Sequence, residues 1–245
     1  MITHLAPVQM ISYVLSDEGL LTLTLASGRT NLITLPFIND LVCILTWVNT
    51  NPRVKVVLIK GNGSYFCSGA DENILKNIVT QQSIFSDYSL FEALLYCPVP
   101  LIMAMDGHAI GGGFTLGCYG DFMLLSEESR YSANFVQHGF TPGVGSTYLF
   151  FEWFDKPLAN ELLYTGNIFS GSELKQRQPS LIVKKKTELI AEALSMATSL
   201  LSQPSYLLRE NKKLLCQRRC DAIPQVIDYE LASHKQCFAN INLDE

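Results

Sequence analysis

Apolar residues follow three kinds of pattern along this chain. Met10 to Leu15 and Leu20 to Leu25 are β-rich runs divided by Ser16-Asp17-Glu18-Gly19, which predicts a hairpin. Pro36 to Val48 places Phe37, Ile38, Leu41, Val42, Leu45 and Val48 at helical spacing. Val54 to Ile59, broken only by Lys55, and Val99 to Met105 are near-continuous apolar runs, as in parallel strands buried on both faces. Glu72 to Thr80 and Asp87 to Leu95 suit helices, the second with Tyr88, Phe91, Leu94 and Leu95 on one face. Phe122 to Leu125 suits a short strand, and Tyr131 to Ser146 reads as a loop. Tyr148 onward is helical in composition, as is Leu158 to Tyr164, which ends at Gly166. Gly171 opens another helix with Ser172 as its cap. Thr187 to Leu201, Ser205 to Cys216 and Asp221 to Phe238 predict three further helices, with Pro204 and Pro224 near the starts of the last two. Strands mixed with helices give way to helices alone, an α/β chain with a helical end.

Composition narrows the function. The 245 residues are 48% apolar and only 17% charged, enough for a substantial core and some apolar surface between subunits. A net charge of −5 argues against nucleic-acid or membrane-surface binding. No segment has a signal peptide's layout and no uncharged run is long enough to span a membrane. Seven scattered cysteines read as reduced thiols of a cytoplasmic protein. Cys216 and Cys220 share a helix face, but nothing completes a zinc set, so no metal site is expected.

The stretch from Met103 to Thr115 carries the chemistry. A buried strand stops at Asp106-Gly107, and Gly111-Gly112-Gly113 precedes an apolar helix start at Phe114. Glycines admit a ligand close to the backbone. A first helical turn leaves N–H groups without partners, at the positive end of the helix dipole. Together these suit an oxyanion-hole type of site. Tight strand-to-helix packing is the plainer alternative. The run is mid-chain and lacks G-x-G-x-x-G spacing, so a dinucleotide loop is excluded, and no phosphate-binding G-x-x-x-x-G-K occurs.

Two motifs combine with this stretch. Gly61 to Asp71 includes Phe66-Cys67-Ser68-Gly69-Ala70-Asp71, Gly107 to Gly113 reads Gly-His-Ala-Ile-Gly-Gly-Gly, and Thr141-Pro142-Gly143-Val144-Gly145 follows. In this order, nearly end to end, the chain resembles the crotonase (enoyl-CoA hydratase/isomerase) superfamily. The resemblance implies a ββα-spiral core over residues 1–190 and a C-terminal helical trimerisation region over residues 191–245. It also implies a homotrimer or hexamer, and thioester chemistry through an enolate. The N–H groups of Ala70 and Gly112 would form the oxyanion hole.

The departures refine this. Hydratases of the superfamily carry glutamates, which activate water, at the positions held here by Thr115 and Phe135. Neither can serve as a base, and a phenylalanine expels water, so hydration is expected to be lost while enolate stabilisation survives. The block from Tyr131 to Gly143 resembles the decarboxylating crotonases of polyketide β-branching cassettes. These convert 3-methylglutaconyl to 3-methylcrotonyl thioesters on the phosphopantetheine of an acyl carrier protein, with no separate cofactor. That subgroup points to a lysine after the first oxyanion motif and a histidine near the C-terminus. Lys76 is the only basic residue between Asp71 and His108, and His234 the only histidine in the last hundred residues. Lys76 would grip the leaving carboxylate or supply a proton, and His234 would be the acid or orient it. A solvated lysine and a surface histidine paired with Glu230 are the ordinary alternatives.

Other residues carry lesser expectations. Thr115, Phe135 and His138 are candidates for the acyl pocket, although an exposed loop position is the plainer reading for His138. His108 is expected to shape the glycine turn. Arg209, Lys212 and Lys213 fall at i, i+3 and i+4, and would make one helix face for docking an acidic carrier protein, unless they are simply solvated. Two further readings compete with the lyase: double-bond isomerisation, which needs no cation for a leaving carboxylate, and a catalytically inactive scaffold. A scaffold has no need of both oxyanion motifs.

Overall fold

The computed structural model describes residues 7–71, 74, 89–139 and 141–238. Lys76 and Tyr88, and all of the segment predicted as a helix over 72–80 except Ile74, lie outside the described residues. The predicted hairpin is formed by β1 (Ile11–Leu15) and β2 (Leu20–Leu25), paired antiparallel. Helix α1 (Leu35–Thr50) follows, its first turn capped by the Thr34 hydroxyl, which accepts from the Phe37 N–H at 3.3 Å.

Three times the chain then lays a strand in one sheet and the next in a second. The pairs are β3 (Val56–Lys60) with β4 (Tyr65–Cys67), β5 (Leu101–Met105) with β6 (His108–Ile110), and β7 (Phe122–Ser126) with β8 (Arg130–Ser132). Short strands β9 (Phe169–Ser170) and β10 (Ile182–Lys184) close the two sheets. One sheet has the order β1-β2-β3-β5-β7-β10, the other β4-β6-β8-β9; β3, β5 and β7 pair parallel in the first and β4, β6 and β8 in the second, while β8 and β9 pair antiparallel. This is the ββα spiral that the resemblance implies.

Burial on both faces explains the continuous apolar runs. Along β3, Val57 and Ile59 face the main core, while Val56 and Leu58 face a second core beneath helix α7 (Lys186–Leu201). Along β5, Leu101, Met103 and Met105 join the main core and Ile102 and Ala104 the second. Helix α7 supplies Leu189, Ala193 and Ala197 to that second core. The boundary expected at residue 190 therefore falls within a helix that packs on the sheet.

Further helices among the described residues are α2 (Leu90–Leu95), α3 (Gly112–Cys118), α4 (Ser146–Trp153), α5 (Lys156–Thr165), α6 (Gly171–Arg177) and α8 (Ser205–Phe238). Four expectations need correction. Tyr131 to Ser146 is not all loop: it contains part of β8 and a 3-10 turn at Asn134–His138. The cap of α6 is Ser170, whose hydroxyl and backbone form a reciprocal box with Glu173, not Ser172. The two C-terminal helices are one, with Pro224 in its interior. Proline removes one helical hydrogen bond, but buried Cys216, Arg219, Ile223, Glu230 and His234 continue along one seam past it, so packing carries the helix through.

The fourth correction concerns the basic face. Lys212 is 5% exposed and its ammonium grips both oxygens of Asp121, at 2.7 and 2.5 Å. Arg219 adds a bond to the same carboxylate at 3.1 Å, and Arg209 donates to the Val54 carbonyl at 3.2 Å. Lys213 is exposed and pairs with Glu210. Arg209, Lys212 and Lys213 are thus divided between core and solvent and do not form a shared docking face. Burial by itself would raise the Asp121 pKa, but the Lys212 and Arg219 cations more than offset this and hold it below the ordinary aspartate range.

An Asp121→Ala substitution strands two buried cations and is expected to destabilise the fold by about 3 kcal/mol or more, whereas Lys213→Ala leaves stability nearly unchanged. Because the folded pKa of Asp121 is depressed, its contribution is complete above about pH 4 and is lost as the pH falls through its folded value. Denaturant melts of the wild type and both variants across this pH range test both statements. An Asp121→Ala melt that matches the wild type would refute the assignment.

Candidate active site

The site begins with how Ala70 is held. Ile33 pairs with it as an isolated parallel bridge. The Ile33 N–H donates to the Gly69 carbonyl at 2.8 Å and the Ile33 carbonyl accepts from the Asp71 N–H at 3.1 Å. Both bonds go to the neighbours of Ala70, so its own N–H faces the other way, as alternation in an extended chain requires. No backbone carbonyl among the described residues takes it.

The second donor comes from the glycine run. Gly111 has φ 53° and ψ −123°, a conformation closed to side chains bearing Cβ. Its N–H is used on the Ser132 carbonyl at 2.8 Å, and its carbonyl accepts from Phe114 and Thr115 at 3.0 and 3.1 Å. This reversal starts α3 and leaves the Gly112 N–H in the first turn, where no helical carbonyl reaches it. A Cβ on Gly113 would come within 2.1 Å of the Cys67 carbonyl, so α3 and β4 touch backbone to backbone. The two motifs meet there.

Ala70 and Gly112 line one cavity of about 190 Å³. Its walls are mostly apolar, with Ile74, Phe91, Phe135 and Val144 among them, and no carboxylate among the described residues lines it. Phe135 is 4% exposed. Ser68 contributes a buried hydroxyl without a partner among the described residues. His138, exposed at the mouth, is the ionisable side chain among the described lining residues, and its Nε2 lies 2.9 Å from Asn134 Nδ2.

Two of the expected residues sit elsewhere. Thr115 is fully buried one turn into α3, donates its hydroxyl to the Gly111 carbonyl at 3.3 Å, and does not line the cavity. His234 is 2% exposed on α8 and is likewise not among the lining residues. Burial lowers its pKa, against the opposing pull of the Glu230 and Thr141 backbone. It thus stands beside the start of the loop 141–147, which reaches the cavity through Val144. His108 accepts from the Arg130 N–H at 2.9 Å and packs edge-on to Tyr65.

Sequence reasoning missed Glu230 as a functional group, treating it only as a neighbour of His234. Its carboxylate accepts from the Gly145 N–H at 2.7 Å and from the Thr147 N–H and hydroxyl at 2.8 and 2.6 Å. Burial raises its pKa, and these donors pull it back in part. The loop it holds includes Val144 at φ 55°, a backbone state that costs a β-branched residue roughly 1–3 kcal/mol. No local signal marked it, because its partners are 83 and 85 residues away.

With this geometry in hand, comparison with known proteins is specific. The family model for enoyl-CoA hydratase/isomerase matches residues 16–245. The bacillaene synthase decarboxylase PksI of Bacillus subtilis (strain 168) is 35% identical over 200 residues, covering 82% of this chain and 80% of its own. A solved structure of a dehydratase/decarboxylase enzyme couple involved in polyketide β-branching superposes with a TM-score of 0.91 at 31% identity, over 94% of each chain. The ECH2 decarboxylase domain of CurF from Lyngbya majuscula gives 0.89 at 29% identity, over 95% of each. A dienoyl-CoA isomerase and a crotonyl-CoA hydratase are also similar, each at 27% identity.

Gly113→Ala tests the backbone contact that aligns the donors. The new methyl group must push α3 off Cys67, displacing the neighbouring Gly112 amide. Loss of one such donor is expected to lower turnover by about 10²-fold or more, measured on protein that circular dichroism shows to be folded. Wild-type turnover would show that the alignment is not needed.

Proposed function

Because the chain belongs to the enoyl-CoA hydratase/isomerase family, we propose that its cavity stabilises a thioester enolate and that its reaction is decarboxylation. The substrate in this reading is a 3-methylglutaconyl-type thioester on the phosphopantetheine arm of an acyl carrier protein. The carbon–carbon bond to the terminal carboxylate breaks and CO2 leaves. The electron pair moves through the double bond to the thioester oxygen, which becomes the oxyanion of a dienolate. The Ala70 and Gly112 N–H groups hold that oxygen, and protonation at carbon gives the 3-methylcrotonyl-type product.

One observation carries this reading: both main-chain donors line a cavity whose described walls hold no carboxylate and include Phe135. A hydratase needs an acid–base pair to place and activate water. A decarboxylase needs a sink for electrons and a dry wall. The similarity to decarboxylases supports the same class. Lys76 follows the cavity-lining Ile74 by two positions in sequence, and we assign it to the leaving carboxylate. His234 does not line the cavity, so of its two expected roles we keep the orienting one, exerted through the segment 141–147.

The test is intact-mass analysis of a 3-methylglutaconyl-loaded carrier protein. The expected result is loss of CO2 from the carrier-bound acyl group, with no gain of water. No mass loss beyond the enzyme-free control would reject the lyase. Lys76→Ala is expected to slow turnover by at least about 10²-fold, the low end for a positioned acid–base group. His234→Ala should raise KM more than it lowers kcat, because the residue supports the segment 141–147 and does not reach the substrate. Wild-type rates in both variants would remove these assignments.

A further inference from the structure

The cavity wall at Val144 is fixed from two directions by groups that never touch the cavity. The Tyr119 hydroxyl, on a fully buried ring, donates to the Val144 carbonyl at 2.8 Å. On the other side, the Gly145 N–H is held by Glu230 at 2.7 Å, and the same carboxylate takes the Thr147 N–H and hydroxyl. Glu230 is 5% exposed and belongs to α8, far along the chain from the loop it binds. Gly143 and Ser146 close the loop internally, the Ser146 hydroxyl donating to the Gly143 carbonyl at 2.6 Å. Between these anchors Val144 is kept at φ 55°, where a valine does not rest unaided, and it lines the cavity at 3% exposure.

A remote cap for α4 would explain the acid, because an anion at a helix N-terminus is favourable. It does not explain why a β-branched residue is held in a left-handed conformation at the cavity wall. An alanine or glycine would leave that wall open, and a relaxed valine would present its methyl groups elsewhere. We infer that Val144 is a specificity-determining residue that limits the acyl group's branch, and that Glu230 and Tyr119 are positioning residues that hold it in place. The C-terminal helix therefore takes part in substrate choice. The inference rests on the proposed function only in taking the cavity to be an acyl-thioester site.

The experiment reads binding, so it does not depend on whether CO2 is released. Full-length wild type, Val144→Ala, Glu230→Gln and Tyr119→Phe are titrated with two saturated thioesters, isovaleryl-pantetheine and 3-methylpentanoyl-pantetheine, which is bulkier by one methylene. Melting temperature is followed for each variant. Val144→Ala is expected to shift the ratio of the two dissociation constants about 10-fold toward the bulkier group, the scale set by one methylene in an apolar pocket. Glu230→Gln and Tyr119→Phe should shift the ratio in the same direction by a smaller factor. An unchanged ratio in Val144→Ala overturns the inference, as does the absence of binding of both thioesters by the wild type. If Glu230→Gln fails to fold, Tyr119→Phe, which deletes one oxygen, decides the positioning role: a wild-type ratio there refutes it. Failure of the decarboxylase reading would appear separately, as retained carboxylate in the mass assay.

Discussion

Everything at the cavity depends on where backbone hydrogen bonds are not made. Ile33 takes the groups on either side of Ala70, and Gly111 spends its own N–H on Ser132 and its carbonyl on the first turn of α3. Each arrangement satisfies the surrounding chain and leaves a cavity-lining residue whose N–H no backbone carbonyl among the described residues accepts. Donors built this way are rigid, because moving either would break bonds that hold a strand or a helix start. They need no reorganisation when negative charge develops, which is what an oxyanion site requires. The close contact of Gly113 with Cys67 then locks the two donors into one frame.

The C-terminal helix is tied to that frame by charge as well as by apolar contact. At one point Lys212 and Arg219 meet Asp121 at the start of β7. At another, Glu230 meets the loop that carries Val144. Both are buried polar contacts whose single partners are costly to remove. Lys212 and Arg219, which in the sequence look like parts of a solvated basic stripe, are thus internal fasteners, and the helix passes through Pro224 without ending because its seam stays packed on both sides.

Legibility in the sequence followed the range of the interaction. The hairpin, α1, β3, β5 and β7 were readable because their signals are local: turn residues, period and continuous apolar runs. So were the two glycine-bearing motifs, since glycine-rich turns announce themselves. The short strands β4, β6, β8 and β9 were not, being two or three residues long and held by neighbours distant in sequence. The division of Arg209, Lys212 and Lys213 was also hidden, because helical periodicity says which residues share a face but not what that face meets.

The sequence by itself determined the chemistry available: glycines where backbone must approach backbone, apolar strands that must be covered on both faces, and an apolar Phe135 at a position where the resemblance to hydratases implies an acid. These are properties of residue type and order, and they survive any detail of packing. Only the tertiary structure decided which groups share a space. It brought Ala70 and Gly112 to one cavity, turned Thr115 into the core, set His234 beside the loop 141–147, and gave Glu230 its partners. Those outcomes are fixed by contacts between segments tens of residues apart, whose geometry exists only once the sheets have closed over their core.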